Sequence, residues 1–355
     1  MTRMTIARDR SPGSRKESTD AESGGEVIRL MKKYPQVQLA TLVETPPEGM
    51  SWLHEMKFDG YRLLGFVSDG TRLRTRNGKD WTESFPSLTA ALKKLRTKSA
   101  VLDMEAVVVD PEGKSNLQAL QAALGAAGNP QKIIGYVFDL LHLDDEDLTK
   151  LPLIERKKKL RGLLKRSRQR TLRYSDHAMG HGADVFAEAC AAGLEGIVSK
   201  KGDASYVAGR QKSWLKTKCV QRQEFIILGF SSARTGKRAL GALYLGYHKD
   251  GAIRYAGKVG TGFSMQRARE LAALFHKFAI QKPTLTRAET EGVAAPEWRS
   301  IRWIKPVLLC EVAFTEWTQD GRIRHPSFHG LRQDKDARDV KKETPVASLM
   351  AKKSE

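Results

Sequence analysis

The texture of this chain changes once, near residues 218–223, and that change constrains its fold more than any single residue does. Before it, apolar runs at 101–109, 133–141 and 196–199 read as buried strands. Between them, 88–95, 117–127, 154–164 and 183–192 carry apolar residues at helical spacing. After it, short strand-like runs at 224–230, 242–248, 253–258 and 308–316 alternate with turns such as Lys249-Asp250-Gly251 and Gln319-Asp320-Gly321. One helical stretch, 265–278, interrupts them. The pattern predicts a mixed α/β or α+β domain over 26–220 and a small β-barrel with one inserted helix, the build of an OB-fold, over 221–340. Residues 1–25 read as a disordered basic tail without the apolar core of a secretion signal. Residues 341–355 read as a polar, Lys-rich tail.

Charge narrows the partners. Sixty-one Lys and Arg against 41 Asp and Glu leave a net charge of +20 over 355 residues, which favours a polyanion and binding that weakens with salt. Nucleic acid leads that class; an acidic membrane surface is the rival, but no terminal segment reads as a basic amphipathic helix. No apolar run approaches the roughly 18 residues that a membrane-crossing helix needs. Cys190, Cys219 and Cys310 lie far apart, so neither a metal knuckle nor a disulfide framework is expected, and a reducing cytoplasm fits.

The chemistry concentrates in Glu55-Met56-Lys57-Phe58-Asp59-Gly60-Tyr61-Arg62, which sets one lysine between two carboxylates just before a strand-like run. It resembles the Glu-x-Lys-x-Asp-Gly-x-Arg nucleophile motif of enzymes that carry a nucleotide on lysine: DNA ligases, RNA ligases and mRNA capping enzymes. Further segments follow in the same order: Arg76-Asn77-Gly78, then Leu102-Asp103-Met104-Glu105, with Met104 where that family usually has Gly. Then come Tyr136-Val137-Phe138-Asp139-Leu140-Leu141, Glu195-Gly196-Ile197-Val198-Ser199-Lys200 and Trp214-Leu215-Lys216-Thr217-Lys218. The last is the segment 324–335, ending in Leu331-Arg332-Gln333-Asp334-Lys335. Together these resemble the ligase domain of bacterial non-homologous end-joining DNA ligases. The resemblance implies an α+β adenylation (nucleotidyltransferase) domain with antiparallel sheets, followed by an OB-fold domain. It implies ATP as AMP donor, Mg²⁺ or Mn²⁺ as metal, and nicked or broken DNA as substrate. It further implies a monomer in a bacterial cytoplasm, at the nucleoid, with a Ku-like end binder as partner. ATP is expected over NAD because few ordered residues precede the lysine motif. A GTP-using capping enzyme or RNA ligase is the rival enzyme class, and a catalytically silent nucleic-acid-binding module the rival of another kind.

The residue types suit that reaction. Attack on a phosphate needs a neutral amine, and moving a lysine pKa from about 10.4 to about 8 takes roughly 3 kcal/mol. Lys216 and Lys218 alternate on one strand face and are expected to depress Lys57 and to stabilise charge on phosphate, while Asp59 orients the amine. By the resemblance, Glu105 and Glu195 are the candidate metal or ribose ligands, and Phe138 stacks on adenine. Glu55 belongs to the nucleotide site, Arg62 and Arg76 touch nucleotide or 5′-phosphate, and Arg332 and Lys335 orient pyrophosphate. Taken singly, each has a plainer reading: Lys57 as a surface amine, Phe138 as core, Lys216 and Lys218 as a solvated strand face. Their common order is what outweighs those readings.

Overall fold

A computed structural model describes residues 25–125, 127–168, 170–232 and 239–346. The tails expected over 1–25 and 341–355 fall outside these residues except for Gly25 and 341–346. Three sheets form among the described residues. The first runs in the order Gln38–Leu42, Gly209–Lys218, Gly196–Lys201, Trp52–Met56, Ala178–Met179. The second runs Thr71–Thr75, Tyr61–Val67, Ala100–Val107, Ile134–Leu143, Glu146–Asp147, with Leu172–Tyr174 also on Ile134–Leu143. Pairing is antiparallel except where Gln38–Leu42 meets Gly209–Lys218 and Leu172–Tyr174 meets Ile134–Leu143.

Period-two alternation sorts the second sheet's side chains. From Ala100–Val107, Leu102, Met104 and Ala106 enter a core with Leu88 and Leu92 of helix Pro86–Lys93 and with Leu120 of helix Leu117–Leu124. Asp103 and Glu105 therefore take the opposite face. Met104 is fully buried on the core side, and room for it comes from the neighbouring strands. A Cβ at Gly65 or Gly135 would stand 2.9 or 3.0 Å from Met104 Cε or Sδ. Gly60 has a comparable reason: a Cβ there would meet Ala106 O at 2.1 Å, so the chain leaving Lys57 passes too close to Ala100–Val107 for any side chain.

The third sheet runs Ala252–Val259, Ala242–Lys249, Gln221–Ser231, Leu309–Phe314, Ser327–Arg332, with Arg302–Trp303 also on Gln221–Ser231. Register shifts interrupt three of its ladders, and such bulges bend strands toward a barrel. Helix Met265–His276 packs Ala268, Leu271 and Phe275 against it in a core of its own, and this is the OB-fold domain.

Two expectations need correction. Cys190 and Cys219 form a disulfide, Cα to Cα 5.3 Å, while Cys310 is free and buried. Cys190 belongs to helix Gly182–Ala191, which packs on Gly196–Lys201, and Cys219 N–H donates to Glu195 O at 3.0 Å. Tertiary pairing thus joins cysteines that a 29-residue separation keeps apart in sequence. Residues 341–346, read from composition as the start of a tail, dock: Val346 N–H donates to Leu42 O at 3.0 Å. Among the described residues, no helix is long and apolar enough to cross a membrane.

Candidate active site

Strand register brings the site together. Val198 lies opposite both Glu55 and Lys216, so these three share one row and one face. Two residues on, Gly196 lies opposite Lys218 and accepts the Lys57 N–H at 2.9 Å. Gly196 has φ +144°, and a Cβ on it would stand 2.1 Å from Thr217 O; only glycine permits the close pairing that puts Glu195 beside Lys57. A cavity of about 510 Å³ opens over this row, lined by Lys57, Glu105, Phe138, Glu195, Lys216 and Lys218 among others. The OB-fold domain closes its other side with Glu224, Glu311, Arg332 and Lys335.

Most cations here have a carboxylate partner. Lys57 Nζ donates to Glu195 Oε1 at 2.5 Å. Burial pulls the Lys57 amine down, but the Glu195 carboxylate outweighs it and holds the ammonium well above its ordinary range. Two expectations differ from this geometry: the Lys57 amine is held up rather than depressed, and it donates to Glu195 rather than to Asp59. Asp59 instead accepts from Arg222 Nη1 at 2.9 Å and from the Leu117 N–H at 3.3 Å, tying the lysine motif to the OB-fold domain. Burial, and then Lys218, lower Lys216 to about 8.

Arg62 spends its fork on Asp103, Nε to Oδ1 at 2.9 Å and Nη2 to Oδ2 at 2.6 Å, and also donates to Gln38 O. It lines the cavity as a positioned wall, its guanidinium committed to Asp103 and Gln38. Glu55 is similarly committed, accepting from Lys157 at 2.7 Å, Ser175 at 2.9 Å and Lys200 at 3.0 Å. Phe138 carries Lys200 Nζ 4.2 Å and the Arg62 guanidinium 5.2 Å from its ring centre, with Trp214 edge-on at 6.0 Å. Arg76 lines the cavity, lowered mainly by burial. Arg332 forks onto Asp334 at 2.9 and 2.8 Å and reaches Glu311 at 3.0 Å, while Lys335 pairs with Glu224.

Among the described residues Glu105 has no such partner, and burial pushes it up to about 8. An unfolded glutamate titrates near 4.5, so between 4.5 and about 8 the folded state holds the extra proton and stability falls as pH rises. Glu105→Gln is expected to flatten that fall, so that the variant gains on the wild type as pH climbs through this window. Urea unfolding at several pH values checks it; parallel curves would exclude a neutral buried Glu105.

Glu195 Oε2 is buried without a hydrogen-bond partner among the described residues. An orphaned carboxylate oxygen near a partnerless glutamate fits a hard cation that takes its remaining ligands from phosphate and water. Among the described residues, no group of three or more His, Cys, Asp or Glu side chains is arranged to hold a metal unaided. Sequence reasoning quoted Lys200 and Trp214 within their motifs without giving them a site role, and left out Arg222, Glu224 and Glu311. The alternation of Lys216 and Lys218 continues in Arg222 and Glu224 across the domain junction, a signal that was available. Nothing local marks Glu311.

The fold and this site are those of a lysine nucleotidyltransferase coupled to an OB-fold. The family model for the ATP dependent DNA ligase domain matches residues 30–218, and that for the ATP dependent DNA ligase C terminal region matches 236–335. The chain belongs to the ATP-dependent DNA ligase family. It is 40% identical over 329 residues to the multifunctional non-homologous end joining protein LigD of Pseudomonas aeruginosa, covering 92% of this chain and 38% of that protein. The Mycobacterium tuberculosis LigD is 36% identical over 297 residues, covering 82% and 37% respectively. This chain thus spans well under half the length of these relatives. A solved mycobacterial DNA ligase D, complexed with ATP and MES, superposes with a TM-score of 0.61 at 31% identity, covering 85% of this chain and 97% of that one.

Proposed function

We propose that the chain seals nicks or joins ends of duplex DNA in double-strand break repair, with Lys57 as nucleophile and residues 26–220 and 221–340 as the two working domains. The observation that carries this reading is one cavity holding Lys57, just past strand Trp52–Met56, Glu195, just before strand Gly196–Lys201, and Lys216 and Lys218 of the adjoining strand, roofed by a second domain. Lys57 must leave Glu195 and lose its proton. Its Nζ then forms a bond to the α-phosphorus of ATP as the α–β bridging P–O bond breaks and pyrophosphate departs with that electron pair. AMP passes next to a DNA 5′-phosphate, and attack by the 3′-hydroxyl releases AMP. Lys216 and Lys218 stabilise the charge on phosphate, and Arg332 and Lys335 exchange their carboxylate partners for pyrophosphate. Phe138 and Lys200 wall the purine. Glu195 and Glu105 would hold Mg²⁺ or Mn²⁺, which would supply charge neutralisation at phosphate.

Domain closure is needed for the first step and reopening for the second, about the junction near 218–223. The net charge of +20 supplies attraction to the DNA backbone. We place the enzyme in the cytoplasm, at the nucleoid, as a monomer. Incubation with α-labelled ATP, GTP or NAD tests the reaction: label from ATP alone, retained on denatured protein, is expected. No label from any of them would leave a nucleic-acid-binding module. A Ku-like end binder is the proposed partner, on the strength of the relatives' printed role in end joining. Co-precipitation and stimulated end joining are expected with Ku, and absence of both removes it.

A further inference from the structure

Residues 340–346 lie across the cavity that the proposed reaction assigns to ATP. The Glu343 carboxylate takes both strand lysines at once, Oε1 from Lys216 Nζ and Oε2 from Lys218 Nζ, each at 2.7 Å. The three side chains are 25%, 16% and 6% exposed, so the contact is sheltered rather than a surface pair. Lys216 and Lys218, by their paired charges and shared face, form an anion fork in the cavity, and in this structure the Glu343 carboxylate of the chain itself fills it. Lys341, Lys342, Thr344 and Val346 line the same cavity.

Backbone bonds hold the segment at both ends. At one end the His248 N–H donates to Val340 O at 2.7 Å, and His248 bridges Lys341. In the middle, Gln223 clasps it twice, accepting the Glu343 N–H at 2.9 Å and donating to Lys341 O at 3.0 Å. At the other end Val346 N–H meets Leu42 O at 3.0 Å. Pro345 biases Thr344 to the extended backbone that this run needs. His248 belongs to the OB-fold domain and Leu42 to the adenylation domain, so the segment spans the junction that must open.

We infer that residues 340–346 form an autoinhibitory strap, in which Glu343 holds the place of nucleotide phosphates on Lys216 and Lys218 and leaves when ATP binds. This rests on the reading of those lysines as the phosphate-binding cations. A phosphate brought to them beside an unmoved Glu343 carboxylate meets a like charge at close range. ATP therefore binds the strap-released form, and its apparent affinity is reduced by the fraction of time the strap is docked.

The test uses the full chain. Glu343→Gln removes the anion, and Val346→Pro removes the N–H that holds the strap to Leu42. Rates of lysyl-AMP formation are measured against ATP concentration for both. The KM for ATP is expected to fall about tenfold in Glu343→Gln and less in Val346→Pro, with the plateau rate retained. Hydrogen exchange supplies a readout independent of turnover: the Val346 amide is protected in the free protein and loses protection with saturating α,β-methylene-ATP. A raised KM or a lowered plateau in both variants would overturn the strap and make the segment part of the nucleotide site. Unchanged KM values with Val346 still protected in the presence of the analogue would overturn it too. Absence of lysyl-AMP in the wild type would sink the ligase reaction instead, and exchange at Val346 would still decide the strap.

Discussion

Lys57→Ala is expected to transfer no label from α-labelled ATP to denatured protein, a loss of at least about four orders of magnitude, because no other group there replaces the nucleophile. Its nearest rivals are Lys216 and Lys218, and both amines point into a carboxylate 2.7 Å away. Alanine also strips Glu195 of its ion-pair partner, so a folding defect has to be separated from a chemical one. Lys57→Arg does this. It keeps a cation against Glu195, yet a guanidinium does not lose its proton in the physiological range and cannot attack phosphorus. Both variants should be inactive, and both should bind nicked DNA nearly as the wild type does, since each leaves almost all of the +20 excess in place. Label on Lys57→Arg, or label on Lys57→Ala at a normal rate, would move the nucleophile elsewhere.

The second large effect is on stability. Asp139 and Arg156 form a two-point pair with Nε–Oδ1 and Nη2–Oδ2 both at 2.8 Å, and neither side chain has any exposure. Arg156 Nη1 also donates to Leu151 O at 2.6 Å and Ala204 O at 3.0 Å, so the guanidinium pins helix Leu153–Ser167 to the strand carrying Phe138. Asp139→Ala leaves this cation buried and uncompensated, and a broken buried pair costs about 3–5 kcal/mol. That is a large part of a typical domain's margin of about 5–15 kcal/mol. Urea unfolding of Asp139→Ala should show a much lower midpoint, or the protein should fail to accumulate. Pairing Asp139→Leu with Arg156→Met should recover a substantial share, because an apolar pair leaves no orphan charge. An unfolding free energy within about 1 kcal/mol of wild type for Asp139→Ala would mean that water reaches Arg156.

The asymmetry between these residues explains which parts of the molecule were legible beforehand. Alternation along 101–109 and 133–141 is a local property imposed by the pleat, so strands and their buried faces could be read directly. The same alternation placed Lys216 and Lys218 on one face, where register sets them opposite Val198 and Gly196. Met104 shows how far local reading extends: its neighbour Glu105 faces the cavity, so Met104 had to face the core. The glycines that make room for it, Gly65 and Gly135, lie on other strands.

By itself, then, the sequence determined the main run of strands and helices, the change from α+β to β-barrel, the candidate nucleophile and the lysines proposed to act with it. These follow from periodicity, backbone demands and chemistry confined to short segments. Only the tertiary structure decided the charge state of the site. Ion pairing depends on distances between segments far apart in the chain, so no local pattern could assign Glu195 to Lys57, Arg222 to Asp59, Asp103 to Arg62 or Glu343 to Lys216 and Lys218. The same holds for Cys190 with Cys219, joined because a helix and a strand end side by side. A lysine expected to be poised and neutral is instead held as the ammonium, since the Glu195 carboxylate at 2.5 Å, with Glu311 and Asp59 behind it, outweighs burial.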